Sequence, residues 1–551
     1  MTGWGLGSEA ERVAARDDRT RRALALVVGE ARAALAMTHF AEAQVVVHIR
    51  ASTLRTANGF VAVHATLNML FRFVARVEAC VDGDLSTTDA EALDAAIERL
   101  RRVDTRADRS LRRVAPLTAH ERVTAARVWI GEAGIGRGHS RDDVHVAFTG
   151  WTCALRRSTH AGNVRASATP FGALAAACFA TAEVFKSLVA SSLPPDEAER
   201  FRERYVHAWD FSAWHMNPVT AAAASEELGD DFGLSLPMDQ VLQVGAGAVG
   251  NASALAFAST EMVTGTLSIL DPKRVDVRNL NRCFFFTEQD VGVPKTEVLD
   301  RAVPRAGLEV RGRCEEFQVG SHYPAAVFLS TVDNNQVRHR MQEALPDVLV
   351  QGSTGGTAVA ISVHTPGNGR SCLVCRHASP EVGLTQRVPL SLEEASALTG
   401  LSEAEITAGV VGGEAVISDA LIALVTAVSP PAGALLERAR EAGHDLCGAL
   451  GDLRGALGPV RGPQEASVPF VSNLAGVLAA AEVVKSLLRA SGVSDVPVLD
   501  NVLVIDLAHN YARHAHLAFC EPPRGDCTLC QQRGDAVSEV YARRRSQSGA
   551  T

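Results

Sequence analysis

An excess of positive charge is the plainest thing this chain lacks. Lys and Arg number 54 against 63 Asp and Glu, for a formal net charge of −9. No broad basic surface for a phosphate backbone is therefore expected, and no nucleic-acid partner with it. Nor does any stretch reach the roughly 18–20 uninterrupted apolar residues that a bilayer span requires, so no membrane partner is expected either. The opening MTGWGLGSEAERVAARDD has no apolar stretch behind a basic start, which argues against export and for a cytoplasmic location. Low-complexity tracts are missing too, since 47% hydrophobic and 21% charged residues are ordinary for a globular protein. The 11 cysteines include two Cys-x-x-Cys pairs. That usage suits metal binding and thiol chemistry in a reducing compartment better than a disulfide framework. At 551 residues the chain exceeds one hydrophobic core and should divide into about two to four domains.

What is present begins with a repeat. Residues 170–188 read PFGALAAACFATAEVFKSL and residues 469–487 read PFVSNLAGVLAAAEVVKSL, ten identities over nineteen positions without a gap. Each copy predicts a buried helix opened by Pro-Phe and closed by Glu-x-x-Lys. Upstream of the second copy, residues 240–271 predict a strand, a Gly-rich turn, a helix and a second strand ending at Asp271. Residues 44–82 predict the same frame upstream of the first copy, but there the Gly-rich turn is gone. The expected fold class is α/β, with parallel sheets covered by helices, built as two units. The boundaries expected are a flexible N-terminus at 1–17 and a degenerate unit at 18–225. The second unit begins at 237–375, is interrupted by a mostly helical insertion at 376–465, resumes at 466–531, and ends in a flexible tail at 532–551.

Gly245, Gly247 and Gly250 satisfy Gly-x-Gly-x-x-Gly between a strand and a helix, and Asp271 closes the next strand where a ribose hydroxyl can be met. Alone, that pair would serve a dinucleotide dehydrogenase equally well. The next residues break the tie. Asp271-Pro-Lys-Arg-Val-Asp276-Val-Arg-Asn279-Leu-Asn-Arg282-Cys-Phe-Phe-Phe, then Asp290-Val-Gly292-Val-Pro-Lys295, and further on STVDNNQVRHR, resemble the signature of the ThiF, MoeB and ubiquitin-activating E1 superfamily. The resemblance implies an ATP site that includes Asn279, with Arg282 and Lys295 supplying charge to the phosphates and Asp333 positioning Mg²⁺. It also implies two Rossmann-like adenylation halves forming an internal pseudo-dimer, in which one half lends an arginine to the other. Arg22-Ala-Leu24-Ala-Leu26 looks like the family's Arg-Gln-Leu-x-Leu element, and makes Arg22 that arginine.

Cys372-x-x-Cys375 and Cys527-x-x-Cys530 have the spacing of two knuckles sharing a tetrahedral Zn²⁺, here a structural staple. Gly352-Ser-Thr-Gly355-Gly356 fits either a peptide tail passing close to the backbone or an ordinary glycine-rich turn. Cys447 lies in the interval where thioester-forming relatives keep their nucleophile, its alternative being a structural or surface cysteine; most other cysteines suit packing. The activity implied is adenylation, with ATP, of the C-terminal carboxylate of a ubiquitin-like protein, then transfer to a cysteine and to an E2-like carrier enzyme. Doubled halves in a chain of modest size suggest the bacterial relatives of antiphage ubiquitin-like conjugation operons. Two alternatives stand beside this: ThiF- or MoeB-like adenylation of a sulfur carrier or peptide precursor, and a non-catalytic scaffold holding a ubiquitin-like partner.

Overall fold

The computed structural model describes residues 9–115, 126–131, 140–157, 159–220, 232–319, 323, 325–365, 368–377, 468–499, 501–513 and 515–525, with single residues at 419, 422, 423, 426, 437, 527, 529, 530, 537, 539 and 540. Two compact units divide the chain. One joins Met1–Leu373 to Ala466–Thr551, and Val374–Glu465 forms the other.

Runs of β-branched residues make the parallel strands of the first unit. Val45, Val46, Val47 and Ile49 sit inside β1 (Gln44–Arg50), which is buried over all but its ends. With β2 (Arg76–Asp82), β3 (Ser110–Val114), β4 (Ala126–Ile130), β5 (Asp143–Phe148), β6 (Thr152–Arg157), β7 (Ala208–Ser212) and β8 (Asn217–Pro218) it forms an 8-stranded sheet in the order β3-β2-β1-β4-β5-β6-β7-β8. A second sheet follows: β9 (Leu236–Pro237), β10 (Val241–Val244), β11 (Val263–Leu270), β12 (Leu308–Arg313), β13 (Val327–Ser330), β14 (Val348–Gly355), β15 (Ala358–His364), β16 (Val502–Asp506) and β17 (His516–Phe519). Its order is β12-β11-β10-β13-β14-β15-β16-β17, with β9 added against β11. Apart from β9 the two orders coincide position for position, including the switch from parallel to antiparallel pairing at β5–β6 and β14–β15. In each sheet the first core strand, β1 or β10, has neighbours reached in opposite directions, the place where open α/β sheets bind ligands.

The helices that matter for the site are α1 (Glu9–Val28), α2 (Glu30–Glu42), α3 (Ala57–Phe71), α4 (Phe171–Ser192), α5 (Ala248–Ala258), α6 (Lys295–Ala302), α7 (Asn335–Glu343) and α8 (Pro469–Ala490). Helix α1 starts at Glu9, so residues 9–17 are helical where a flexible segment was expected. The cause is an anchor: Arg16, 3% exposed, reaches Asp104 at 3.2 Å and Glu288 of the second half at 3.4 Å.

The repeated sequences are α4 and α8, which pack against one another at the centre. Phe171–Ala190 and Pro469–Leu488 are buried throughout, and Phe185 meets Phe470 with ring centroids 5.3 Å apart. Both helices are long and apolar enough to cross a membrane, and their burial inside the protein accounts for that composition. Each Glu-x-x-Lys is a buried ion pair, Glu183–Lys186 and Glu482–Lys485, both at 2.5 Å. Each lysine also donates across to the opposite half, Lys186 to the His509 carbonyl at 3.2 Å and Lys485 to the Trp214 carbonyl at 2.8 Å. Two charges buried in an apolar seam are tolerated because each has a counter-ion and a carbonyl.

Candidate functional site

The Gly-rich turn leads β10 into α5. Gly245 has φ +106° and lies so close to the Thr331 backbone that any Cβ would overlap it, two demands that only glycine meets. A Cβ on Gly250 would overlap the Gly245 carbonyl, so this glycine lets α5 close down on the strand. Gly247, the N-cap residue of α5, faces open space. The turn's carbonyls are drawn inward: Gln243 donates to those of Gly245 and Gly250 at 3.0 and 3.1 Å, and Asn251 to those of Ala246 and Gly247 at 3.0 Å each. Carbonyls held inward and an open helix start together suit an anionic phosphate, since the first N–H groups of a helix lack intrahelical acceptors.

Asp271, 7% exposed, stands at the end of β11 beside this turn. Its carboxylate accepts from the Ala246 N–H at 2.7 Å and from the Lys273 N–H at 2.8 Å. It therefore braces the turn while each oxygen keeps a second lone pair for a hydroxyl. Asn279 works locally: its Oδ1 accepts from the Asp276 N–H at 2.9 Å in a capping box.

The three charged residues converge on the same edge. Lys295 opens α6 at 7% exposure, its N–H donating to the Lys273 carbonyl at 3.1 Å. Among the described residues its ammonium closes no ion pair. Lys273 in turn reaches Asp333 at 3.5 Å, both side chains being exposed. Desolvation works against ionisation of Asp333, but Lys273, the backbone N–H of Asp333 itself and Lys295 outweigh it and hold the carboxyl below the ordinary aspartate value. Arg282, 8% exposed, donates to the Arg278 carbonyl and to Asn281 Oδ1, both at 2.7 Å. The segment that carries it is tied to the turn by Asn251, whose Oδ1 accepts from the Phe285 N–H at 3.0 Å. Burial pushes the adjacent Cys283 thiol up, while the charges of Arg282, Lys295, Arg72 and Arg19 pull the other way. Two of those four cations belong to the first half.

Helix α1 explains one of them, because it packs on Val277–Asn279, and its Leu26 lies beside Gly356. Arg22 sits on this helix, 36% exposed, and pairs with Asp18 at 2.7 Å one turn away. The arginine whose charge reaches Cys283 is Arg19 instead. Arg72 escaped sequence reasoning altogether. Its only sequence signal is Asn68 and Arg72, four residues apart, inside and just after the apolar run VAVHATLNMLF.

Gly352 packs β14 on α8, since a Cβ there would press on Ala475 and Ala479, and Gly355–Gly356 turns β14 into β15. The Sγ atoms of Cys372, Cys375, Cys527 and Cys530 all lie within 4.8 Å of one another, with Cys372 and Cys527 at 3.6 Å. Four zinc–sulfur bonds of about 2.3 Å in a tetrahedron put sulfurs about 3.8 Å apart, so the cluster fits Zn²⁺. Cys447 lies outside the described residues.

The family model described as the ThiF family matches residues 220–529. Among curated proteins, the uncharacterized protein y4jF of Sinorhizobium fredii (strain NBRC 101917 / NGR234) is 26% identical over 238 residues, 42% of this chain and 43% of that protein. The adenylyltransferase and sulfurtransferase MOCS3 of Aedes aegypti is 28% identical over 163 residues, 28% of this chain and 37% of that protein. The chain thus spans less than half the length of either relative. The crystal structure of E. coli MccB with succinimide is 14% identical, with a TM-score of 0.32, over 66% of this chain and 90% of that one.

Proposed function

The chain belongs to the ThiF family, and from that premise we propose that it is an E1-like enzyme that adenylates a carboxylate with ATP. The observation that carries this reading is one connected edge: the open turn at Gly247, the brace Asp271, and Arg282, Lys295 and Asp333 joined to it through Lys273 and Asn251. A hydride-transfer enzyme needs no such set of cations beside an exposed carboxylate. A triphosphate does, because positive charge must meet the departing pyrophosphate.

The substrate proposed is the C-terminal carboxylate of a ubiquitin-like protein. Its oxygen attacks the α-phosphorus of ATP, the bond to the β-phosphate oxygen breaks, and pyrophosphate leaves, so a poor acyl electrophile becomes one with AMP as leaving group. Arg282 and Lys295 neutralise the pyrophosphate, the α5 N-terminus receives phosphate oxygens, and Asp333, kept ionised, would hold Mg²⁺, which would supply further positive charge to the phosphates. The halves act as an internal pseudo-dimer in which the first lends Arg22. The Cys447 thiolate then attacks the acyl carbon and AMP leaves, giving a thioester for an E2-like carrier, as in a bacterial antiphage conjugation system, and the four-cysteine cluster would hold zinc as a staple. The likeness to MOCS3, named an adenylyltransferase and sulfurtransferase, favours a second reading, in which the adenylated protein is a sulfur carrier and no thioester follows.

Pyrophosphate exchange into ATP tests the reading. Exchange should require Mg²⁺ and a ubiquitin-like protein with its C-terminal carboxylate intact, and Asp333→Ala should abolish it. Exchange that survives Asp333→Ala, or that ignores the carboxylate, would sink the assignment.

A further inference from the structure

Arg72 is 1% exposed and, among the described residues, forms no ion pair with a carboxylate. Its guanidinium donates three hydrogen bonds, all to neutral acceptors: Nε to Asn68 Oδ1 at 2.7 Å, one terminal nitrogen to the Leu280 carbonyl, and the other to the Phe284 carbonyl at 2.8 Å. Burial drags its pKa from the ordinary arginine value to about 9; the like charges of Arg16 and Arg282 pull the same way, and Cys283 and Asp104 oppose them. A buried cation whose direct partners are all neutral is unfavourable.

Its surroundings show what that burial maintains. His64, Asn68 and Arg72 follow at four-residue spacing down one stripe of α3 and its C-cap, and all three act on the same short segment. The His64 ring stands edge-on to Phe284 at 5.2 Å, and Asn68 Nδ2 donates to the Phe284 carbonyl at 3.0 Å. Between the two carbonyls that Arg72 grips lies Arg282. From the second half, Asn473 donates to the Arg282 carbonyl at 3.4 Å, and Asn251 fixes the Phe285 N–H. The backbone from Leu280 to Phe285 is thus pinned on both sides, and the half without a Gly-rich turn supplies most of the pins.

We propose that Arg72 is a positioning residue of the nucleotide site, which holds the 280–284 segment from the first half so that Arg282 faces the phosphates. The inference rests on the nucleotide reading above. It adds a task for the degenerate half other than lending an arginine. The planar guanidinium fork offers each carbonyl its own terminal nitrogen, a geometry that a single ammonium nitrogen does not copy.

The test uses the full-length chain and Mg–ATP, with no partner protein. Titration calorimetry should find binding weakened at least about tenfold in both Arg282→Ala and Arg72→Met, the worth of a lost hydrogen bond to a charged group. Arg72→Lys should recover part of that loss. Deuterium exchange of amides 280–285 should quicken in Arg72→Met and not in Arg282→Ala. A folded Arg72→Met with wild-type affinity and unchanged amide protection overturns the inference, even if it melts earlier, since that is all a merely structural role predicts. If Arg282→Ala itself binds as the wild type does, the nucleotide reading fails and the inference with it. If only Arg72→Met keeps its affinity, the inference alone fails. Should Arg72→Met not fold, Asn68→Ala removes one donor to Phe284 and is read by the same two measurements.

Discussion

Arg22 and Asp18 form an exposed pair one helical turn apart, an interaction worth at most about 1 kcal/mol. The guanidinium can therefore leave Asp18 at little cost once a triphosphate offers a denser negative charge. Arg16 cannot do the same, because it is buried with Asp104 and its second partner, Glu288, anchors α1 on the other half. We expect Arg22→Ala to lower pyrophosphate exchange by about a hundredfold or more, within reach of what arginines lent to phosphoryl-transfer sites contribute. Its melting temperature should stay near that of the wild type. Wild-type exchange in Arg22→Ala together with a loss in Arg19→Ala would move the lent arginine to Arg19, whose charge already reaches Cys283.

Elements show how far local pattern carries. The Gly-rich turn between β10 and α5 and the paired helices α4 and α8 were legible because each is set by residues adjacent in sequence: glycines where a Cβ would clash, and apolar runs closed by Glu-x-x-Lys. The grip of α3 on residues 280–284 was not legible, because Arg72 and Phe284 lie 212 residues apart and nothing near either names the other. Asp271 shows an intermediate case. Its place beside the turn followed from spacing, whereas its bracing of the Ala246 N–H did not. The cysteine pairs belong with the legible elements, and they carry a prediction. Metal analysis should find about one zinc per chain, and Cys527→Ser should lose it along with more than about 5 °C of melting temperature, on the order of 5 kcal/mol for a chain of this size. A stable, metal-free wild type would remove the staple.

Across the whole molecule, the same strand order is built twice. Only the second sheet leads its first core strand into an open glycine turn; in the first, β1 runs on through Arg50 into a short helix at Ala51–Leu54. The first half retains its matching helix, its seam of crossed lysine contacts and its hold on the 280–284 segment. On this account one half does chemistry and the other makes that half rigid. The central claim is that a carboxylate oxygen attacks the α-phosphorus of ATP, and the fate of that oxygen decides it. A ubiquitin-like substrate labelled with oxygen-18 in its C-terminal carboxylate should, after the acyl group passes to a thiol or amine, yield AMP carrying the label, with unlabelled pyrophosphate beside it. Unlabelled AMP, or label found in inorganic phosphate with ADP as the nucleotide product, would contradict the account.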